Sequence, residues 1–403
     1  MLLRKYKIFG LLFGLILVNQ MLLAVENEKS MNLLIKEVFS VAIKQYTPLA
    51  NEVYNLEGRV PRSTDSDGNL VTSNIKWWTS GFFPGSLWYI YEYSKDTSIL
   101  NYAKKFSKRI ESEKYTSNNH DVGFMIYSSF GNGYRLINDK SYPEVIVTAS
   151  NSLLTRYRPQ IKSIQSWDKS KFYNCPVIID NMMNLEMLFW ASKFTNDLKY
   201  KEVAVNHANS TIKNHFRKDY SSFHLIDFDL TDGHIIKKVT NQGCADESAW
   251  ARGQAWGLYG FVMCFRETKD KRYLLQSEKI ATFILNHPNL PADKIPYWDF
   301  NAPNIPNESR DASSAAIIAS ALIELSGYAG KHDAITYKNA AEMILRNLAS
   351  TNYLAKQGTN GGFLLMHNVG NKPSNYEIDS ALCYADYYFL EALLRYKAKF
   401  LSN

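Results

Sequence analysis

The chain has 403 residues, 46 Lys and Arg against 39 Asp and Glu, and a formal charge of +7. That excess is mild and dispersed, with no Lys/Arg stripe of the kind that nucleic-acid binding needs. Four cysteines stand apart at 175, 244, 264 and 383, with no zinc-ligand spacing and no Gly-rich phosphate loop nearby, so buried free thiols are expected rather than a disulfide framework.

The N-terminus reads Met1-Leu-Leu-Arg-Lys-Tyr-Lys7, then runs apolar from Ile8 to Val18, and Met21-Leu-Leu-Ala24 precedes the charged stretch from Glu26. A basic start, a short apolar run and a small residue at the break predict a cleaved export signal over 1–24. One domain over 25–403 and a periplasmic or secreted product follow. The apolar run is shorter than the roughly 20 residues that a membrane span needs, and no later stretch is long enough. Once Arg4, Lys5 and Lys7 leave, the formal charge falls to +4.

Apolar residues at helical spacing predict twelve helices: 31–54, 80–95, 97–115, 121–137, 140–157, 180–195, 197–216, 247–267, 270–289, 310–328, 333–351 and 380–398. Strand signals are weak and confined to loops, as in Ser222-Phe-His-Leu-Ile-Asp-Phe228. Four short joints end one helix and open the next at Asp: Ser94-Lys-Asp96, Ile137-Asn-Asp139, Thr195-Asn-Asp197 and Thr268-Lys-Asp270. Three continue alike, as Asp139-x-x-Tyr142, Asp197-x-x-Tyr200 and Asp270-x-x-Tyr273, an internal repeat of helix pairs with a period of 43 to 73 residues.

Short joints alternate with long ones at 55–79, 158–179, 217–246, 290–309 and 352–379, and a briefer one at 116–120. If each short joint turns a helix back, all long loops lie at one end. Helices that follow a long loop are the more apolar and aromatic, as in Phe82 to Tyr93, Trp250 to Phe265 and Leu382 to Leu394. They are expected inside, with the Lys-rich helices outside. Six inner and six outer helices make an all-α fold, an α/α six-hairpin barrel; an open superhelix of hairpins is the alternative.

The starts of the inner helices carry the unusual residues, and all project to one mouth. They include Trp77-Trp-Thr-Ser-Gly-Phe-Phe-Pro-Gly-Ser86, Asn119-His-Asp-Val-Gly-Phe124, Asp180-Asn181, Glu247 to Trp256, Arg310-Asp311 and Glu377-Ile-Asp379. A concave mouth with Trp, carboxylates, Arg and His is the default site. Asp180 stands where an N-cap belongs, after Pro176 and a β-branched run and among bulky apolar residues. Plain capping and acid/base work are both open there. Asp311 and Asp379 read as caps, Trp250 and Trp256 as core or site, and His120 beside Asp121 as an ordinary turn or part of the site. Arg252 lies between two Trp and needs a partner, a role that an anionic ligand would fill.

At these residues the chain resembles the unsaturated glucuronyl hydrolases, glycoside hydrolase family 88. The motifs are Trp78-Thr-Ser-Gly-Phe-Phe-Pro-Gly85, His120-Asp-x-Gly-Phe124, Ile179-Asp-Asn-Met182, Trp250-Ala-Arg-Gly-Gln-Ala-Trp-Gly257, Asp311-Ala-Ser-Ser-Ala315 and Tyr384-Ala-Asp-Tyr-Tyr-Phe389. The resemblance implies an α/α six-barrel without metal or cofactor. It implies removal of a 4,5-unsaturated uronic acid from the non-reducing end of lyase-made oligosaccharides. By resemblance, Asp180 is the general acid/base and Asp121 the assisting carboxylate. His120, Trp78, Trp167, His224, Trp250, Arg252 and Trp256 are the implied substrate contacts.

Some members bind substrate sulfate through a Ser/Lys motif in the last long loop. Here that loop reads His367-Asn-Val-Gly-Asn-Lys-Pro373, without the Ser positions but with Lys372, which meets a sulfate or is a solvated loop Lys. Tolerance of sulfate, rather than dependence on it, is the expectation. The competing readings are an unsaturated rhamnogalacturonyl hydrolase on pectin fragments, a non-catalytic sugar-binding barrel, and an epimerase. The last calls for inward-facing His pairs, for which only His120 and His224 are candidates.

Overall fold

The computed structural model describes residues 29–401, and the expected export signal over 1–24 lies outside them. All twelve expected helical segments form. The inner ring takes Phe82–Ser94, the broken pair Val122–Ile126 and Asn132–Ile137, Leu185–Thr195, Ala251–Thr268, Ala312–Leu325 and Cys383–Tyr396. Each packs on the next, and the last packs on the first, so the ring closes. Met31–Glu52, Thr97–Arg109, Tyr142–Leu154, Leu198–His215, Lys271–Asn286 and Lys331–Leu348 each lean on an inner helix from outside. The fold is the α/α six-hairpin barrel, and ring closure rules out the open superhelix.

The two rings differ because their sequences do. Ala312–Leu325 buries every residue but Glu324, as a helix apolar on all sides must. Thr97–Arg109 buries only Ile99, Ala103, Phe106 and Ser107, a single stripe. The four Asp joints share one geometry. Lys95, Asn138, Asn196 and Lys269 turn left-handed (φ +58°, +50°, +57° and +61°), which stops the incoming helix. Asp96, Asp139, Asp197 and Asp270 then accept the N–H two residues on at 2.7 to 3.0 Å. The repeated Tyr ties neighbours together: Tyr200 donates to Asn151 at 2.8 Å and Tyr273 to Asn209 at 3.1 Å, each on the preceding outer helix.

The long loops meet at the other end and carry the short strands. Cys175–Ile178, Leu225–Phe228 and Ile235–Val239 make an antiparallel sheet with Leu225–Phe228 central. A hairpin pairs Asn368–Asn371 with Tyr376–Ser380. Isolated bridges join Asn119 to Trp167, Trp250 to Asp299 and Ser63 to Leu382, which weaves successive loops into one rim. All four cysteines are free, and no described helix is long and apolar enough to cross a membrane.

A cleft of about 530 Å³ opens between the inner helices, lined by Tyr127, Arg135, Glu186, Trp190 and Arg395. Its carboxylates are spoken for: Glu92 pairs with Arg135, Glu186 with Arg266, and Glu391 with Arg395. It holds no free acid, which turns attention to the loop end.

Candidate active site

Asp180 is not a helix cap. Strand pairing runs on through Ile178, and the Ile179 N–H donates to the His224 carbonyl at 3.0 Å. The chain therefore enters a tight 3-10 segment, Ile179–Asn184, before the α-helix opens at Leu185. The Asp180 carboxyl makes no capping bond. It is 7% exposed, and its Oδ2 has no hydrogen-bond partner. Burial pushes it up to about 6, opposed by His120 and Arg252.

His224 faces it. Its Nδ1 accepts from the backbone N–H of Asn241 at 3.0 Å and of Gln242 at 3.3 Å. The proton of a neutral ring is thereby placed on Nε2, which lies 3.7 Å from Asp180 Oδ2 and has no other partner. Burial, reinforced by Arg252, holds His224 neutral, down to about 3. The Trp250 ring lies 4.7 Å from the His224 ring, and the Arg252 guanidinium 4.6 Å over Trp250. Trp250 is thus a buried brace between the two, 2% exposed.

His120 and Asp121 come from the brief loop before Val122–Ile126. His120 Nε2 lies 3.3 Å from Asp121 Oδ1. The Asp121 side chain is 19% exposed; its recess pushes it up to about 7, with Arg156 pulling the other way. Buried His120 is pushed down to about 4. One residue aligns both acids: fully buried Ser166 accepts the His120 N–H at 2.9 Å on its carbonyl and the Ile178 N–H at 2.9 Å on its Oγ. Beneath it, Arg156 donates to the carbonyls of Gln165 at 2.7 Å and Ser117 at 2.6 Å. Neither Ser166 nor Arg156 carries a sequence signal, since the partners each one holds here are backbone groups of distant loops.

Half-buried Trp78 closes one wall, 5.1 Å from Tyr384 and 5.6 Å from Phe124. Half-buried Trp167 is bridged to Asn119 and so stands beside His120. Four polar atoms of the barrel mouth and its floor stand out as buried without a partner: Asp180 Oδ2, His224 Nε2, Tyr384 OH and Trp256 Nε1. Native interiors leave few such atoms, and together they mark a place built for a polar guest.

Four expectations need correction. Arg252 has protein partners: Asp311 Oδ2 at 3.2 Å and the carbonyls of Val369 and Gly370. No anionic ligand is required to satisfy it. Asp311 caps its helix through Oδ1, as expected, and serves Arg252 through Oδ2. Asp379 is no cap; it lies in the strand Tyr376–Ser380 and pairs with His367 at 2.6 Å. Lys372 is not a free loop lysine, because its part-exposed side chain pairs its ammonium with the Glu308 carboxylate and reaches Ser309 Oγ at 3.2 Å. Trp256 is fully covered, packed on Phe124 at 5.3 Å and Tyr388 at 5.4 Å, so it floors the site rather than offering a face to it.

Residues 56–389 match the family described as Glycosyl Hydrolase Family 88. An unsaturated glucuronyl hydrolase of Formosa agariphila is 45% identical over 361 residues, 87% of this chain and 90% of the relative. An unsaturated chondroitin disaccharide hydrolase of Streptococcus agalactiae is 36% identical over 326 residues, 79% of this chain and 81% of the relative. Among solved structures, an unsaturated glucuronyl hydrolase specific for heparin is 47% identical and superposes with a TM-score of 0.88, covering 91% of this chain and 97% of that one.

Proposed function

The chain belongs to glycosyl hydrolase family 88, and we propose that it removes a 4,5-unsaturated uronic acid from the non-reducing end of lyase-made glycosaminoglycan oligosaccharides. The observation that carries this reading is the buried carboxyl of Asp180, raised to about 6, whose unpartnered Oδ2 faces an equally unpartnered His224 Nε2. A barrel that only bound sugar would need neither a tuned acid nor a second carboxyl beside it.

The substrate is a vinyl ether across C4 and C5. The Asp180 carboxyl gives its proton to C4, and positive charge develops at C5 next to the ring oxygen. Water adds to C5 and returns a proton to the Asp180 carboxylate, so that the acid is restored. The resulting hemiketal opens and expels the rest of the oligosaccharide. Because water attacks C5 and not the anomeric carbon, the carboxyl-separation rule for ordinary glycosidases does not apply. In this reading His224 Nε2–H and Asp121 hold the water and the sugar. Trp78 and Trp167 offer ring faces to it.

The relatives' chondroitin and heparin names support a glycosaminoglycan source over a pectin one. The test is loss of the ultraviolet absorbance of the conjugated double bond over a panel of unsaturated disaccharides. Turnover of pectin-derived substrates alone would move the assignment to the rhamnogalacturonyl type. Lys372, already neutralised by Glu308, is not expected to read sulfate. The Lys372→Ala variant should keep the wild-type ratio of efficiencies on sulfated and unsulfated disaccharides, and a shifted ratio would restore its sulfate role.

Export completes the proposal. The basic start and the apolar run from Ile8 to Val18 support a cleaved signal and a periplasmic or secreted enzyme. Mass spectrometry of the exported protein should find a chain beginning near Val25; an intact 1–24 in that fraction contradicts it.

A further inference from the structure

The loop that brings Trp167 to the mouth does not end there. It continues outward through Lys169, Lys171, Phe172 and Tyr173. The Tyr173 ring stands 5.9 Å from Trp167 at 73°. Its hydroxyl donates at 2.6 Å to Asn241, the residue whose backbone N–H orients His224. Lys237 reaches across from the neighbouring strand, with its ammonium 4.6 Å from the Tyr173 ring and bonded at 2.8 Å to the Phe172 carbonyl. Phe172 is 64% exposed, with the Lys171 ammonium 4.9 Å from its ring.

An exposed Phe held in place by a lysine contact to its backbone has no packing role. The acid of this segment, Asp168, is already paired with Arg156 at 2.9 Å, and Asp227, across the sheet from Lys237, accepts the N–H groups of Asn174 and Cys175, so the exposed Lys169 and Lys171 present their charge to solvent. Ring faces flanked by cations suit a chain of sugars that carry carboxylate or sulfate groups. The apolar face of a sugar stacks on the ring, and its acid meets an ammonium.

We propose that Tyr173, Phe172, Lys171 and Lys237 form an outer subsite for the sugars beyond the first two of an acidic oligosaccharide, continuous with Trp167. This rests on the proposed function and adds a preference for chain length. The deep recess handles the unsaturated sugar, and the rim grips what trails from it.

The experiment compares an unsaturated disaccharide and an unsaturated tetrasaccharide from the same acidic polysaccharide, on the wild type, Phe172→Ser and Lys171→Ser. The wild type is expected to show the lower KM for the tetrasaccharide. Phe172→Ser should raise that KM about fivefold and leave the disaccharide KM unchanged, as loss of one stacking face does. Lys171→Ser should remove much of the salt sensitivity of tetrasaccharide binding. Equal KM values for both lengths in the wild type, or equal changes on both in Phe172→Ser, would overturn the subsite while disaccharide turnover leaves the function standing. Absence of disaccharide turnover by the wild type would overturn both.

Discussion

At His224 the two ring nitrogens divide the work: Nδ1 is locked by the backbone of Asn241 and Gln242, and Nε2 is left to face Asp180. The neighbouring acid holds its proton because burial raises it to about 6. A carboxyl that must donate is active below its own pKa and idle above it. A pH profile of kcat/KM should therefore fall above about pH 6 as one proton is lost, and a profile still rising at pH 8 would contradict the assignment. Asp180 and Asp121 were singled out by their resemblance to family motifs, whereas the inner-helix starts alone left a cap at Asp180 and an ordinary turn at Asp121 open. The partner of Arg252 was not legible. Sequence shows that a cation between two Trp needs an anion, but not that Asp311, 59 residues on, folds against it. Lys372 failed for the same reason, since Glu308 comes from a different loop.

Among the elements, the outer turns could be read almost in full. A left-handed Lys or Asn followed by a capping Asp is local chemistry, and local chemistry is written in adjacent residues. The loop end could not be read this way. The strand Cys175–Ile178 pairs with Leu225–Phe228, some fifty residues away, and that pairing displaces the expected helix start at Asp180. Closure of the barrel likewise depends on distant contacts. Asp386 of the last inner helix accepts from Tyr46 of the first outer helix at 2.8 Å, and from the N–H groups of Leu364 and Leu365 at 2.8 and 2.9 Å. Asp386→Ala strands three buried donors and should cost about 3 kcal/mol. A shift in the urea midpoint checks this, and a loss under about 1 kcal/mol would show that closure does not rest on this carboxyl.

For the molecule as a whole, burial of titratable groups sets how stability changes with pH. His120, His207, His215 and His224 are pushed down to about 4, 3, 4 and 3. In the unfolded chain they take up protons near 6.5, so their contribution is full above about pH 6.5 and drains as pH falls towards 4. Asp121, Asp180 and Asp386, raised to about 7, 6 and 7, act in the opposite sense. Their contribution is full below the ordinary carboxyl value and is lost as pH rises through 6 to 7. On the acid side the histidines are joined by carboxylates that ion pairs hold low, such as Glu324 and Asp270, and between about pH 6.5 and 7 the raised carboxyls act alone. Thermal melts should give the highest Tm near about pH 6.5, with lower values at both pH 4.5 and pH 8. A Tm that climbs steadily to pH 8 would contradict the burial of these acids.

The arrangement of the whole barrel, with its short turns at one end and its acids at the other, comes down to one carboxyl. Asp180→Asn keeps the shape of the side chain, and the original makes no capping bond and leaves its Oδ2 without a partner. The most direct measurement is the rate of loss of the double-bond absorbance of an unsaturated glycosaminoglycan disaccharide, wild type against Asp180→Asn, with circular dichroism to confirm the fold. The account predicts a fall in kcat of at least about a hundredfold with unchanged helix content. Near-normal turnover by the variant would contradict it.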